Sequence, residues 1–327
     1  MRIAVLGAGA VGGRVVRQLA STPEVDHLSV ADADPRRAAS TADAIGEGHR
    51  VVARPVDAGW AEGATVAVLA MPDRHRAEAE RLLELGIAVV STADGLDDVR
   101  ALLALDAEAR ERGIPVIAGA GFGPGLSDLL AAHAASTFDS IDEIHVSRLG
   151  TGGPACARQH HRSLAGETVE WRDGAWERRR AGSGRELTWF PDPVGPADCY
   201  RAAVPDPLLL AAAFPGVDRV TARLAATRRD RLTAHLPMLR PPHRETGLGA
   251  IRVEVRGRRG TTRDVTVLGA IDRPAVAAGA VAALAAVAIG TGGVPAGVNG
   301  LGRAVEPVPF LAELARRGVK AAAFVGG

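Results

Sequence analysis

Arg2-Ile3-Ala4-Val5-Leu6-Gly7-Ala8-Gly9-Ala10-Val11-Gly12-Gly13 joins a short apolar run to a glycine-rich loop, and a helical pattern over Val11–Ala20 follows at once. In a strand–loop–helix setting the first glycine permits a tight turn and the second lets the backbone approach a pyrophosphate. The third lets helix and strand pack closely. The helix N-terminus adds unpaired N–H groups and a partial positive charge. Gly7, Gly9, Ala10, Val11 and Gly12 are therefore the expected cradle of a dinucleotide.

Working outward, apolar runs recur at Leu28–Ala31, Val51–Ala53, Thr65–Ala70, Ala88–Ser91 and Pro115–Ala118. Helical patterns separate most of them, at Pro35–Ile45, Arg74–Leu85 and Leu96–Arg112. Strands that alternate with helices, and are apolar on both faces, imply right-handed βαβ units in a parallel sheet covered on both sides. The fold class expected is α/β: an N-terminal Rossmann-type doubly wound parallel sheet, followed by a C-terminal α+β substrate domain.

After Gly121 the alternation stops. A helix is expected at Leu126–Ala135 and a strand at Glu143–Arg148, then an Arg-, Pro- and Trp-rich stretch without clear period runs to about Pro242. Ile251–Val255 and Asp264–Leu268 read as an antiparallel pair joined by a polar turn, Arg256–Thr262. An alanine-rich helix from about Ala275 to Ile289 and a last helix at Pro309–Arg317 complete the pattern. The expected division is a dinucleotide-binding domain over 1–122, a substrate and dimerisation domain over 123–290, and a segment 291–327 that returns to the first domain.

Composition narrows the function. Thirty-nine basic residues against 38 acidic ones leave a net charge of +1 in 327 residues, so no global field draws the chain to nucleic acid or anionic lipid. The two cysteines, Cys156 and Cys199, are too few for a disulfide scaffold and fit a reducing cytoplasm. No targeting segment is expected, because the glycines interrupt the first apolar run. Breakers within Pro274–Val298 argue for a buried helix rather than a membrane span. Lys320 is the only lysine, so a lysine-dependent mechanism would have to use it.

Asp32 ends the second strand, where a carboxylate accepts both ribose hydroxyls and repels a 2′-phosphate. That favours NAD, while Arg36 and Arg37 leave NADP open. Met71-Pro72 and Thr92, at the ends of the fourth and fifth strands, should line the same crevice. His75 reads as a surface histidine at a helix start.

Gly121-Phe122-Gly123-Pro124-Gly125-Leu126 makes a second glycine-proline turn into a helix, whose N-terminus could hold a substrate carboxylate. Together with Gly7–Gly13 and Gly152-Gly153-Pro154-Ala155, it resembles the saccharopine dehydrogenase-like (saccharopine reductase-type) family. The resemblance covers the first 155 residues, and afterwards only the general layout. It implies a nicotinamide cofactor on the first domain and reversible hydride transfer at a carbon–nitrogen bond, through an imine, often with amino-acid substrates. Gly123, Pro124, Gly125 and Gly153 would then face the substrate. The chain departs from the family where aspartate is common at Gly123, and where Asp-His is common at Ser127-Asp128. Sugar dehydrogenases of the Gfo/Idh type share the layout, but usually carry Glu-Lys-Pro after the fifth strand, where this chain reads Ser91-Thr92-Ala93-Asp94.

For the proton, histidine titrates nearest neutrality. His160 and His161 follow the Gly-Gly-Pro-Ala turn and are the candidates for general acid/base. Arg158 is the candidate carboxylate reader, with Arg148 and Arg201 beside it. No metal is expected, since adjacent histidines diverge and no third ligand has suitable spacing. Nothing in the sequence orders a Cys–His pair around Cys156. Trp171, Trp176 and Trp189 are expected to pack in hairpins. The expected function is an NAD(P)-dependent oxidoreductase transferring hydride at a C–N bond of a small carboxylate-bearing substrate, as a homodimer. The alternatives are a hydroxy-acid or alcohol dehydrogenase on the same scaffold, and a non-catalytic dinucleotide-sensing protein.

Overall fold

The computed structural model describes residues 1–46, 50–72, 74–238, 242 and 247–323, with the backbone alone for 320–323. The side chain of Lys320 thus lies outside the described residues. The first half alternates β1 (Arg2–Leu6), α1 (Gly12–Ala20), β2 (His27–Ala31), α2 (Pro35–Asp43), β3 (Val51–Arg54), β4 (Val66–Leu69), α3 (His75–Glu84), β5 (Ala88–Ser91), α4 (Leu96–Leu103), α5 (Asp106–Glu111) and β6 (Pro115–Ile117). The second begins with α6 (Leu126–Ala135), β7 (Ser140–Leu149), α7 (Pro154–Ser163), β8 (Glu167–Arg172), β9 (Ala175–Arg180), β10 (Glu186–Trp189) and β11 (Pro196–Arg201). It continues with α8 (Asp206–Ala213), β12 (Arg219–Ala225), α9 (Arg228–Thr233), β13 (Gly249–Arg259), β14 (Thr262–Asp272) and α10 (Pro274–Gly290). β15 (Gly297–Asn299), α11 (Leu301–Ala304), α12 (Pro307–Arg316) and β16 (Lys320–Ala323) end the described chain.

Two sheets organise these elements. In the first, the strand order is β15-β6-β5-β4-β1-β2-β3, with every pairing parallel. The order reverses between β1 and β4, and a crevice opens there at the carboxyl ends of the strands. The second sheet runs β10-β11-β12-β7-β13-β14-β16, with β8 and β9 attached beside β12. It is mixed, because β7 and β12 are parallel while the other pairs are antiparallel.

The tail divides between the sheets: β15 extends the first beside β6, whereas β16 joins the second beside β14. The alanine-rich α10 packs against α1, β4 and β5 of the first sheet, although it follows the strands of the second. Its small residues allow a very close approach. A Cβ on Gly279 would lie 2.6 Å from the Arg14 Cβ and 3.2 Å from the Val15 amide. Among the described residues no helix is long and apolar enough to cross a membrane.

Two expectations of element length need correction. The helix expected at Leu96–Arg112 is broken into α4 and α5, so that Asp106 begins a new helix and its carboxylate accepts the Val298 N–H at 2.8 Å, anchoring β15. The hairpin expected to turn over Arg256–Thr262 instead continues to Gly260-Thr261. Its distal strands carry mostly exposed charges, and a ladder with wetted faces reads as a polar turn in sequence. There the Arg259 guanidinium lies 4.5 Å from the Phe138 ring centroid. Trp171 and Trp176 do pair across β8 and β9, edge to face at 4.9 Å, whereas Trp189 is exposed.

Candidate functional site

A continuous cleft of about 1160 Å³ lies between the two sheets. Drug-sized ligands occupy pockets of roughly 300–1,000 Å³, so this one has room for a dinucleotide and a small partner molecule. Gly7, Gly9, Ala10, Val11, Asp32, Met71, Pro72 and Thr92 line it. The glycine loop fits the group its sequence implies. Gly7 has φ +102°, and a Cβ there would stand 2.6 Å from the Ala70 carbonyl oxygen. A Cβ on Gly12 would collide with the Gly7 carbonyl oxygen at 1.8 Å, so Gly12 packs beneath the loop rather than lining the cleft. At Gly9 nothing lies within 4 Å, which leaves that backbone open to a phosphate.

Asp32 is nearly buried at the end of β2. Its Oδ2 accepts the Ala8 N–H at 2.7 Å and its Oδ1 accepts the Asp34 N–H at 2.8 Å. Arg37 reaches the same carboxylate at 3.5 Å and lines the cleft, whereas Arg36 does not. His75, expected at the surface, is fully buried. Its Nε2 faces the Met71 carbonyl oxygen at 2.8 Å, which can only accept, so Nε2 carries the proton. Nδ1 must then accept from the Ser91 hydroxyl at 2.8 Å, and that hydroxyl oxygen accepts the Ala93 N–H at 3.2 Å. This relay ties together the loops after β4 and β5.

The wall contributed by the second half is α7, where the sequence suggested a loop. Helical spacing sets Cys156 and His160 four residues apart on one face, and Asp94 approaches from the loop after β5. The Cys156 Sγ–H donates to Asp94 Oδ2 at 3.1 Å. His160 Nε2 lies 3.1 Å from the same oxygen and 3.5 Å from Cys156 Sγ. Burial pushes the Asp94 carboxyl up, but the hydrogen bond and charge of His160, with help from Cys156 and Arg148, hold it below the usual carboxylate range. Burial and the Asp94 charge push the Cys156 thiol well above its ordinary value, so it stays protonated at neutral pH. The sequence offered no reason for a Cys–His pair; the fold supplies one, together with a third group from 62 residues upstream.

The remaining expectations separate cleanly. His160 faces the cleft, while His161 does not line it; His161 is buried, with Nε2 3.2 Å from the Thr233 hydroxyl. Gly123, Gly153 and Arg158 line the cleft, but Pro124 and Gly125 are buried in the turn, where a Cβ on Gly125 would meet the Gly121 amide at 2.5 Å. Arg148, weighed in the sequence beside Arg158, stands near the end of β7. Arg148 lines the cleft at 2% exposure, and its Nε and Nη2 lack hydrogen-bond partners. A Cβ on Gly123 would lie 2.2 Å from the Arg148 Cδ, which explains the absence of a larger residue there. Behind it, Asp206 sits 3.3 Å from Nη2, and Asp128 is buried beside them. Arg201 instead pairs with Glu170 at 2.7 Å, away from the cleft.

Known proteins share this architecture. The structure is similar to apo saccharopine dehydrogenase (L-Glu forming) from Saccharomyces cerevisiae, at 15% identity and a TM-score of 0.70, with 99% of this chain and 100% of that chain covered. It is also similar to an amine dehydrogenase from Mycobacterium smegmatis, at 14% identity and a TM-score of 0.52, covering 94% and 96% of the two chains. DAP dehydrogenase from C. glutamicum, solved with DAP, gives 15% identity and a TM-score of 0.51 over 97% and 98%. At these identities the likeness is one of fold. In sequence, residues 3–114 match the family model described as the saccharopine dehydrogenase NADP binding domain. Residues 3–114 thus resemble the dinucleotide-binding domain of saccharopine dehydrogenase-like oxidoreductases, and the whole chain shares the fold of those dehydrogenases.

Proposed function

We propose that the chain interconverts a secondary or primary amine and the corresponding imine on a small carboxylate-bearing substrate, with NAD as the preferred cofactor. The observation that carries this reading is the His160–Asp94 hydrogen bond at 3.1 Å, made in the same cleft that the glycine loop lines. When bound, the nicotinamide supplies the hydride acceptor or donor.

The chain's own residues supply position and a proton. Asp94 accepts Nε2–H of His160, which leaves Nδ1 as the nitrogen that exchanges a proton. In the oxidative direction the substrate carbon loses a hydrogen with its electron pair, the nitrogen's proton passes to His160, and a C=N bond remains. Arg148 and Arg158 offer the charged forks for the carboxylate. Asp32 favours ribose hydroxyls over a 2′-phosphate, and the cofactor preference rests on it. A reducing, cytoplasmic setting suits the two free thiols, Cys156 and Cys199. The hairpin β13–β14 is the proposed pairing surface of a homodimer, and sedimentation at micromolar concentration tests it.

Steady-state assays with NAD and NADP across amino acids, secondary amines, oxo acids with amines, and hydroxy acids test the reading. Amine oxidation that falls about 10²- to 10⁴-fold in His160→Asn, with NADH binding retained, is the expected result. Turnover of hydroxy acids alone would select the alcohol-dehydrogenase reading, and tight NADH binding without turnover the sensor.

A further inference from the structure

Asp94, Cys156 and His160 present three different ligand types, and their donor atoms all lie within 4.8 Å of one another. The individual separations are tighter: 3.1 Å from Asp94 Oδ2 to Cys156 Sγ, 3.1 Å from Oδ2 to His160 Nε2, and 3.5 Å from Sγ to Nε2. Tetrahedral zinc has bonds of about 2.3 Å to sulfur, 2.0–2.1 Å to imidazole nitrogen and 2.0–2.2 Å to carboxylate oxygen. Those bond lengths place an oxygen and a nitrogen on one ion about 3.3 Å apart, and sulfur about 3.5 to 3.6 Å from either. The observed triangle therefore matches the face of a zinc tetrahedron to within a few tenths of an ångström. All three residues line the cleft, so a fourth position would open toward solvent or ligand. A three-ligand set with one open position is the pattern of reactive rather than purely structural zinc.

We propose that Asp94, Cys156 and His160 form a zinc-binding site, and that zinc there shuts off the proton transfer assigned to His160. The second half of this statement rests on the function proposed above; the first does not. Binding places the Nε2 lone pair on the metal, so the proton of the neutral imidazole must move to Nδ1, and Nδ1 ceases to be a base. The Cys156 S–H bond breaks, its electron pair becomes the Zn–S bond, and its proton leaves to solvent. No electron is transferred. Arg148, nearby, opposes a cation, but its charge is countered by Asp206 at 3.3 Å.

The test uses cobalt(II) as a coloured substitute for zinc on the full-length protein. One equivalent of cobalt should produce a thiolate-to-metal absorption band, which zinc then bleaches. The band should disappear in Cys156→Ser and persist in Cys199→Ser, a control for general thiol binding. In parallel, zinc should inhibit the wild-type oxidoreductase, with a midpoint raised at least about tenfold in Cys156→Ser. Absence of the band, or its survival in Cys156→Ser, overturns the site. A band that zinc bleaches while turnover is unchanged upholds the site and overturns the closure of His160. A chain without any oxidoreductase activity would still give the cobalt result, so failure of the metal site and failure of the enzyme reading are told apart.

Discussion

Asp32 combines an observed contact and a proposed one on a single carboxylate. It holds the glycine loop through the Ala8 N–H, and its position recommends it for a ribose. Hydrogen bonds to charged groups contribute about 1.5–3 kcal/mol. Asp32→Ala is therefore expected to weaken NADH by at least about tenfold in a fluorescence titration, and to shrink the preference over NADPH because Arg37 loses its partner. Equal affinity for NADH in wild type and variant would remove the ribose assignment. His75 has no contact with bulk solvent, yet its substitution reaches the cleft. His75→Leu leaves the Met71 carbonyl without its donor and the Ser91 O–H without its acceptor, at about 1–3 kcal/mol for each group stranded. Urea unfolding should show that loss, and a change below about 0.5 kcal/mol would mean that water replaces the relay.

At the level of elements, the contact of α10 with α1 is set by one missing methyl group. Gly279→Val must push α10 away from Arg14 and Val15, and overpacking of this kind costs about 1–3 kcal/mol. Because α10 joins the second sheet to the back of the glycine-loop helix, the same variant should weaken dinucleotide binding, measured by thermal shift. An unchanged melting temperature would show that the two helices slide apart freely. Helix α7 shows why the cleft's chemistry was hard to read. Cys156 and His160 stand at helical spacing, but Arg158, His161 and Arg162 make the stretch look like a solvated basic loop. Only its docking beside the loop after β5 reveals which face matters.

Across the whole molecule, ligand and proton linkage give the clearest tests. A dinucleotide that binds the native state alone should raise stability by about 2.7 kcal/mol at a hundredfold excess over its Kd. Calorimetric scans with NADH should show it, and no rise would leave the fold without its expected cofactor. The buried group at the junction adds a pH term. Burial first, and the Asp206 charge second, push the Asp128 carboxyl well above the ordinary range. An acid raised in the folded state contributes stability below its unfolded pKa and loses it as pH rises through the folded one. Denaturant unfolding at pH 4 and pH 8 should thus show wild type losing more stability on the alkaline side than Asp128→Asn. Parallel losses in the two proteins would mean that Asp128 ionises freely.

The sequence alone determined the first sheet and its cradle, because both are written in local terms. A buried parallel strand is a short apolar run, and a pyrophosphate loop needs glycines at fixed spacing. Asp32 and the lining residues Met71, Pro72 and Thr92 followed from the rule that ligands sit at strand ends. What only the tertiary structure decided is the chemistry opposite that cradle. Asp94 meets Cys156 and His160 across more than sixty residues, Arg148 lines the cleft where Pro124 and Gly125 do not, and α10 crosses back to the first sheet. These pairings are set by long-range packing of two sheets, and no periodicity within a single segment encodes them.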